Sequence, residues 1–347
     1  MVGRWARFLD YKNHAIVMSQ NKIPNQKSCS VVIRAYNEEK HITRLLEGIA
    51  QQTINDVEVI LVDSGSTDAT ILIARQYNDR FPVHIVHIQP DEFTFGRSLN
   101  LGIAQSKSDL VVIASAHVYP VYPDWLERIS APFADKEVSL SYGKQRGDRT
   151  TKYSEKQIFT RWFPDQSQPR QEHAFCNNAN AAIRRSLWEE QHYDETLSGL
   201  EDLAWANWAI EQGHVISYTA EAEVIHVHNE TPRAVYNRYR REAMAFKRIF
   251  PNEHFGSWDL LRLTTSNIAS DLWHAARQQV LLHNLASIFW FRWMQFSGTY
   301  RGYREAGPLT WQLRKTFYYP KSIKTPGHSS TRDIEPIRYN DETETGD

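Results

Sequence analysis

The first half of the chain alternates short apolar runs with amphipathic stretches. Residues 30–34 (SVVIR) form a brief apolar run that reads as a buried strand. Residues 39–51 follow with Ile42, Leu45, Leu46 and Ile49 at helical spacing. Residues 57–62 (VEVILV) give a second strand that ends at Asp63, and Thr67 and Asp68 open a helix carrying Ile71, Ala74 and Tyr77. Residues 83–88 alternate as a third strand, 95–105 read as a helix, and 110–114 (LVVIA) as a fourth strand. This βαβαβ order predicts a mainly parallel sheet flanked by helices.

The second half is less regular. Residues 124–131 read as a short helix and 138–143 as a strand. Residues 144–171 are rich in Arg and Gln, with Pro164 and Pro169, and read as a long mobile loop that could act as a lid. A helix over about 200–212 precedes strands near 215–218 and 223–228. Thr231 and Pro232 supply an N-cap and a first-turn proline for another helix. The pattern beyond Pro251 is helical, and the polar tail after about Thr325 reads as disordered.

Composition narrows the classes. Of 347 residues, 41% are hydrophobic and 23% charged, which suits a globular chain with a real core. Forty basic residues against 41 acidic ones exclude the large basic excess of a dedicated nucleic-acid binder. Cys29 and Cys176 have neither zinc-site spacing nor disulfide density, so they read as buried, reduced thiols. Residues 1–20 lack the apolar core of a secretory signal, and no run reaches the roughly 20 apolar residues of a membrane span. The expected location is cytoplasmic. The apolar, aromatic stretch 281–303, with Arg292 and Arg301, adds peripheral contact with the inner face of a membrane.

In open parallel sheets, ligands bind beyond the carboxyl ends of the strands. Those ends read Tyr36-Asn37-Glu38, Asp63-Ser64-Gly65-Ser66, residues 90–96 and Ser115-Ala116-His117. The motifs VIRAYNEE at 32–39, VDSGSTD at 62–68 and GLED at 199–202 occur in that order. Together they resemble family 2 glycosyltransferases of the GT-A fold, over roughly 29–250. IHVHN at 225–229, followed by a basic Tyr/Arg helix, resembles the bacterial rhamnosyltransferase-like branch.

The resemblance implies an inverting enzyme that moves a sugar from a UDP- or dTDP-sugar to a glycan or lipid-linked acceptor in cell-envelope polysaccharide synthesis. It divides the chain into an N-terminal extension (1–28), a GT-A domain (29–250), a helical C-terminal extension (251–325) and the tail (326–347). Ala35, Tyr36, Glu38, Asp63, Ser64, Arg97, Asn100, Ser115 and Ala116 would then surround the nucleotide. Asp63 can accept from a pyrimidine imino N–H, and Tyr36 can flank the ring. Against this, Ser64 to Asp68 alone would be an ordinary turn and helix cap.

GT-A enzymes usually neutralise the leaving diphosphate with a divalent ion held by Asp-X-Asp after the fourth strand. Here that slot reads Ser-Ala-His, so a requirement for Mn2+ or Mg2+ is left open. His117, with His226 or His228 from the late strand, could hold such an ion, although magnesium prefers oxygen ligands. Alternatively, His117 could donate directly to the diphosphate.

Transfer with inversion needs a carboxylate to take the acceptor's proton. Asp202 matches the family's base and sits at a helix start, with Glu201 beside it to hold the acceptor or the loop. Asn178 and Asn180 suit sugar hydroxyls, or else mark a loop-to-helix transition. Arg238 and Arg241 share a helix face and could meet a phosphate of donor or lipid, a membrane surface, or solvent. The competing expectations are a non-catalytic nucleotide- or glycan-binding module, which the missing Asp-X-Asp favours, and a sugar nucleotidyltransferase. The latter is disfavoured by the absence of a glycine-rich loop with an adjacent lysine.

Overall fold

In a computed structural model, residues 28–305, Gly307 and Ile337 are described. The expected N-terminal extension (1–28) lies outside this range up to residue 27. The expected disordered tail also lies outside it, except that the Ile337 N–H donates to the Val121 carbonyl at 3.1 Å.

The strands are β1 (Ser28–Ala35), β2 (Asp56–Asp63), β3 (Val83–His87), β4 (Leu110–Ser115), β5 (Val118–Pro120), β6 (Val138–Gly147), β7 (Gln168–Gln171), β8 (Asn180–Arg184) and β9 (Val215–His226). They form one sheet of order β3-β2-β1-β4-β8-β6-β9-β5, with β7 also pairing β9. The β3-β2-β1-β4 half is parallel, as the alternation predicts. The far half is mixed: β8 runs antiparallel to β4 and β6, while β6 and β9 are parallel.

The sheet separates two apolar layers because successive side chains point to opposite faces. Val32, Ile60, Val62 and Ile113 pack on one side; Val31, Ile33, Leu61 and Val112 pack on the other. Helices α1 (Ile42–Ala50), α2 (Thr70–Gln76) and α3 (Phe95–Ala104) follow the first three strands, where their apolar spacing puts them. Both cysteines are free and buried.

Three expectations change. Residues 144–171 are not a loop. They continue β6 to Gly147, form α5 (Tyr153–Trp162) after the short α4 (Trp125–Ser130), and end in β7. Tyr153, Phe159 and Phe163 are buried there, and the charged composition hides them because Glu155 is buried as an ion pair. The two late strands are a single strand, β9, whose register against β6 shifts between Gly143 and Gln145. The amide-rich run at 175–180 leads into a strand, β8, and not a helix.

The remaining helices are α6 (Arg185–Glu190), α7 (Glu201–Glu211), α8 (Pro232–Ile249), α9 (Ser257–Arg277) and α10 (Leu281–Arg304). Thr231 caps α8 as expected, its hydroxyl accepting from Ala234 N–H at 3.3 Å. No helix among the described residues is long and apolar enough to cross a membrane. Arg292, which interrupts the apolar run of α10, is buried and paired with Asp271 at 2.7 Å.

Helix α10 lies directly on α8 through two glycines. A Cβ on Gly298 would stand 2.4 Å from the Tyr236 carbonyl, and one on Gly302 2.3 Å from that of Arg240. Gly302→Val should therefore force the helices apart and lower stability by about 1–3 kcal/mol. The measurement is the urea midpoint, and a midpoint equal to that of the parent would show slack at the crossing.

Candidate functional site

The carboxyl ends of β1, β2 and β4 open into a cleft of about 670 Å³, closed on its far side by the start of α7, the end of β9 and α8. The turns after β1 and β2 are joined to one another. Asn37 N–H donates to Ser66 Oγ at 2.9 Å, Thr67 N–H to Asn37 Oδ1 at 2.8 Å, and Glu38 N–H to Thr70 Oγ1 at 2.7 Å. Gly65, at φ +92°, makes the reversal that a side chain would resist.

The expected nucleotide residues divide into three groups. Tyr36, Glu38 and Ser115 line the cleft. Ala35, Asp63, Ser64 and Ala116 lie beneath its wall, all nearly inaccessible to solvent. The Asp63 carboxylate accepts from the N–H groups of Gly65 and Ser66, both at 3.1 Å, and shapes the turn. Arg97 and Asn100 lie away from the cleft. Arg97 pairs with Glu92 and Glu195, while Asn100 donates to the Tyr193 carbonyl and accepts from Trp188 Nε1. The ligand role expected for these two is not met in this cleft: Asn100 anchors the 188–195 segment, and Arg97 bridges Glu195 and Glu92 with its Nε left unpartnered.

The histidines do converge. The ring of His117 lies 5.1 Å from that of His226 and 6.0 Å from that of His228, and the latter two are 4.0 Å apart. His117 Nδ1 faces Glu38 at 2.8 Å, His226 Nδ1 faces Gln145 at 2.7 Å, and His228 Nδ1 faces Glu155 at 2.8 Å. His226 is 6% exposed, and its Nε2 has no hydrogen-bond partner. Burial, reinforced by the neighbouring His228 and His117, holds its pKa well below the usual value, so it is neutral. Burial alone would also lower His117, but the Glu38 carboxylate outweighs it and raises the value. An orphaned imidazole nitrogen facing two more imidazoles fits a divalent cation, and the donor set is nitrogen-rich.

Asp202 and Glu201 begin α7, directly after Leu200, which is held at φ 56° in the left-handed region. That conformation costs a non-glycine residue roughly 1 kcal/mol, and it turns both acids toward the cleft. Glu201 pairs with Arg34 at 2.9 Å. Asp202 accepts from Asn178 N–H at 3.0 Å and from Leu203 N–H at 2.8 Å. Burial, then the adjacent charge of Glu201, push its pKa up to about 7. A carboxyl with that value changes protonation state near neutrality, as a general base must.

Of the two asparagines expected to meet sugar, Asn178 lines the cleft with an unpartnered Nδ2. Asn180 does not reach it. It is fully buried, accepts from Trp125 Nε1 and donates to the Ala222 carbonyl, tying β8 to its neighbours. Arg238 and Arg241 both line the cleft. Arg238 is bound to Glu155 and Glu230, whereas the nearest carboxylate to Arg241 is Glu242 at 3.9 Å. The guanidinium groups of Arg34 and Arg241 lie over the Phe95 ring, 4.5 and 4.7 Å from its centroid.

Sequence reasoning gave no role to Arg34, Phe95, Gln145 or Glu155. Arg34 carried a signal, being a charged residue at the end of an otherwise apolar strand. The others carried none, since their partners are distant in sequence.

Residues 30–191 match the family model described as Glycosyl transferase family 2. The O-antigen chain rhamnosyltransferase RfbN of Salmonella typhimurium is 29% identical over 222 residues, covering 60% of this chain and 69% of that protein. WbaN of Salmonella anatum, also an O-antigen chain rhamnosyltransferase, is 32% identical over 208 residues, covering 54% of this chain and 62% of WbaN. Mannosyltransferase PcManGT of Pyrobaculum calidifontis, solved with GDP-Man and Mn2+, shares the fold at a TM-score of 0.59 and 17% identity, over 87% of this chain and 92% of that one. Over residues 30–191 the chain is therefore similar to glycosyltransferase family 2, and it shares the fold of a GT-A mannosyltransferase.

Proposed function

We propose that this protein is an inverting glycosyltransferase that moves a sugar from a UDP- or dTDP-sugar onto a glycan or lipid-linked acceptor in cell-surface polysaccharide synthesis. In this reading residues 29–250 form the transferase unit and the helices from 251 buttress it. The observation that carries it is Asp202. A carboxylate with a raised pKa opens onto the same cleft as the joined β1 and β2 turns and the three histidines.

The acceptor hydroxyl attacks the anomeric carbon as its proton passes to the Asp202 carboxylate, and the nucleoside diphosphate leaves with the bonding electrons. Asn178 N–H keeps the carboxylate aimed. Glu201, fixed by Arg34, raises its basicity through like charge. Arg241, which lines the same cleft, would meet phosphate. A divalent cation held by His117, His226 and His228 would supply positive charge against the diphosphate. A non-catalytic binding module would have no need of an acid with a raised pKa, so the tuned Asp202 favours the enzyme.

The acceptor side of this reading includes a membrane surface. Trp258, Trp273, Leu282, Phe289 and Trp293 are about half exposed or more on α9 and α10. The acids of these two helices are Asp259, paired with Arg262, and Asp271, buried on Arg292; Arg277, Arg301 and Arg304 are exposed. Aromatic residues flanked by arginines without free acids complement anionic lipid at a membrane interface.

Asp202→Asn should keep nucleotide binding within about twofold and lower kcat by about 100-fold or more, read as release of UDP or dTDP. Parent-level turnover in that variant would end the base assignment. Since Asp202 acts only when ionised, kcat/KM should rise with pH through about 7. Glu201→Gln removes a charge that raises the Asp202 pKa, so this limb should move to lower pH; an unmoved limb would mean another group titrates. The chain should also co-sediment with phosphatidylglycerol vesicles more than with phosphatidylcholine vesicles. The double substitution Trp273→Ser, Trp293→Ser should weaken that binding about tenfold, and equal recovery with and without vesicles would remove the membrane from the reading.

A further inference from the structure

His117 follows β4, while His226 ends β9 and His228 lies two residues beyond it, so the three imidazoles reach one point from two separate strand ends. One nitrogen from each lies within 4.8 Å of the other two. The partners on the opposite side of each ring decide what those nitrogens can do. Glu38, Gln145 and Glu155 each present an oxygen to an Nδ1. A carboxylate or amide oxygen only accepts, so in the neutral rings each Nδ1 carries the proton and each Nε2 keeps a lone pair, that of His117 lying 3.2 Å from Ser115 Oγ. For His226 that lone pair is buried and has no partner. Inward lone pairs of this kind repel one another unless a shared electrophile lies between them.

The donor set also restricts which ion fits. No carboxylate belongs to the His117, His226 and His228 group; the carboxylates Glu155 and Glu230 gather on the other side, with His228. Imidazole suits zinc, copper, iron and nickel, whereas manganese and magnesium suit oxygen ligands and magnesium keeps its water. Ligating histidines bind best when the other ring nitrogen is held by a carboxylate or carbonyl oxygen, which is the arrangement here.

We propose that His117, His226 and His228 form a three-imidazole seat selecting a borderline transition-metal cation over magnesium, with Glu38, Gln145 and Glu155 as positioning residues that fix the ring tautomers. The proposal deepens the transferase reading, on which it rests only for what the ion does in transfer.

The test is metal binding by the full chain, stripped with EDTA and titrated without any sugar donor. Cobalt(II) should bind one per chain, with visible ligand-field bands of nitrogen coordination, and zinc should displace it. Magnesium should bind at least about 100-fold more weakly. His226→Ala should abolish the cobalt spectrum. Gln145→Met leaves all three ligands in place and should weaken cobalt about 10- to 100-fold, with the parent's circular dichroism. Magnesium binding as tight as cobalt, or a parent-like cobalt spectrum in His226→Ala, would overturn the site. Cobalt bound as described, with no nucleoside diphosphate released from any donor, would uphold the site and reject the transferase reading.

Discussion

The carboxylate of Glu155 is the interaction on which the cleft depends. It is buried on α5, yet it meets His228 just beyond β9 and Arg238 on α8. Burial alone would raise its pKa, but Arg238 and His228 more than offset this and hold it below the usual carboxylate range. A buried charge of this kind is tolerable only with every partner in place, because losing one leaves the rest unpaired. Ser154, the next residue, gives its carbonyl to Arg292, which also holds Asp271. The sheet, the histidines and the C-terminal helices are thus joined through two adjacent residues of α5.

That arrangement explains which parts of the fold were legible in sequence. β1, β2 and β4 are continuous apolar runs buried on both faces, and their composition announces them. α5 is different. Its Glu155 is internal only because His228 and Arg238 arrive from more than seventy residues away, so a polar composition reads as a loop. β8 is five residues long and gains its place from β4 and β6 on either side. β9 reads as two strands because residues 219–222 are small or polar, and that stretch falls where the ladder with β6 slips.

The site shows the same limit at the level of single side chains. The order of motifs brought Asp202 and the histidines forward, and the structure gathers them into one cleft. Arg97, Asn100 and Asn180 had the right chemistry and the right neighbourhood. A side-chain amide that can hold a sugar hydroxyl can equally hold a backbone carbonyl, and here the backbone has taken it. Sequence lists hydrogen-bonding capacity; the fold determines how much of it is left over. Asn178 Nδ2 and His226 Nε2 are such remainders, and both belong to cleft-lining residues.

The glycine crossing between α8 and α10 has a mechanical consequence. Where Gly298 and Gly302 rest on the carbonyls of Tyr236 and Arg240, the glycines put no side chain of their own between the two backbones, and the Ala243 methyl also stands against Gly302. A load applied to the outer helix must reach the inner one undamped, like force through a rigid coupling. Arg238 and Arg241 ride on that inner helix, so the crossing ties the outer helix to two cations that line the cleft.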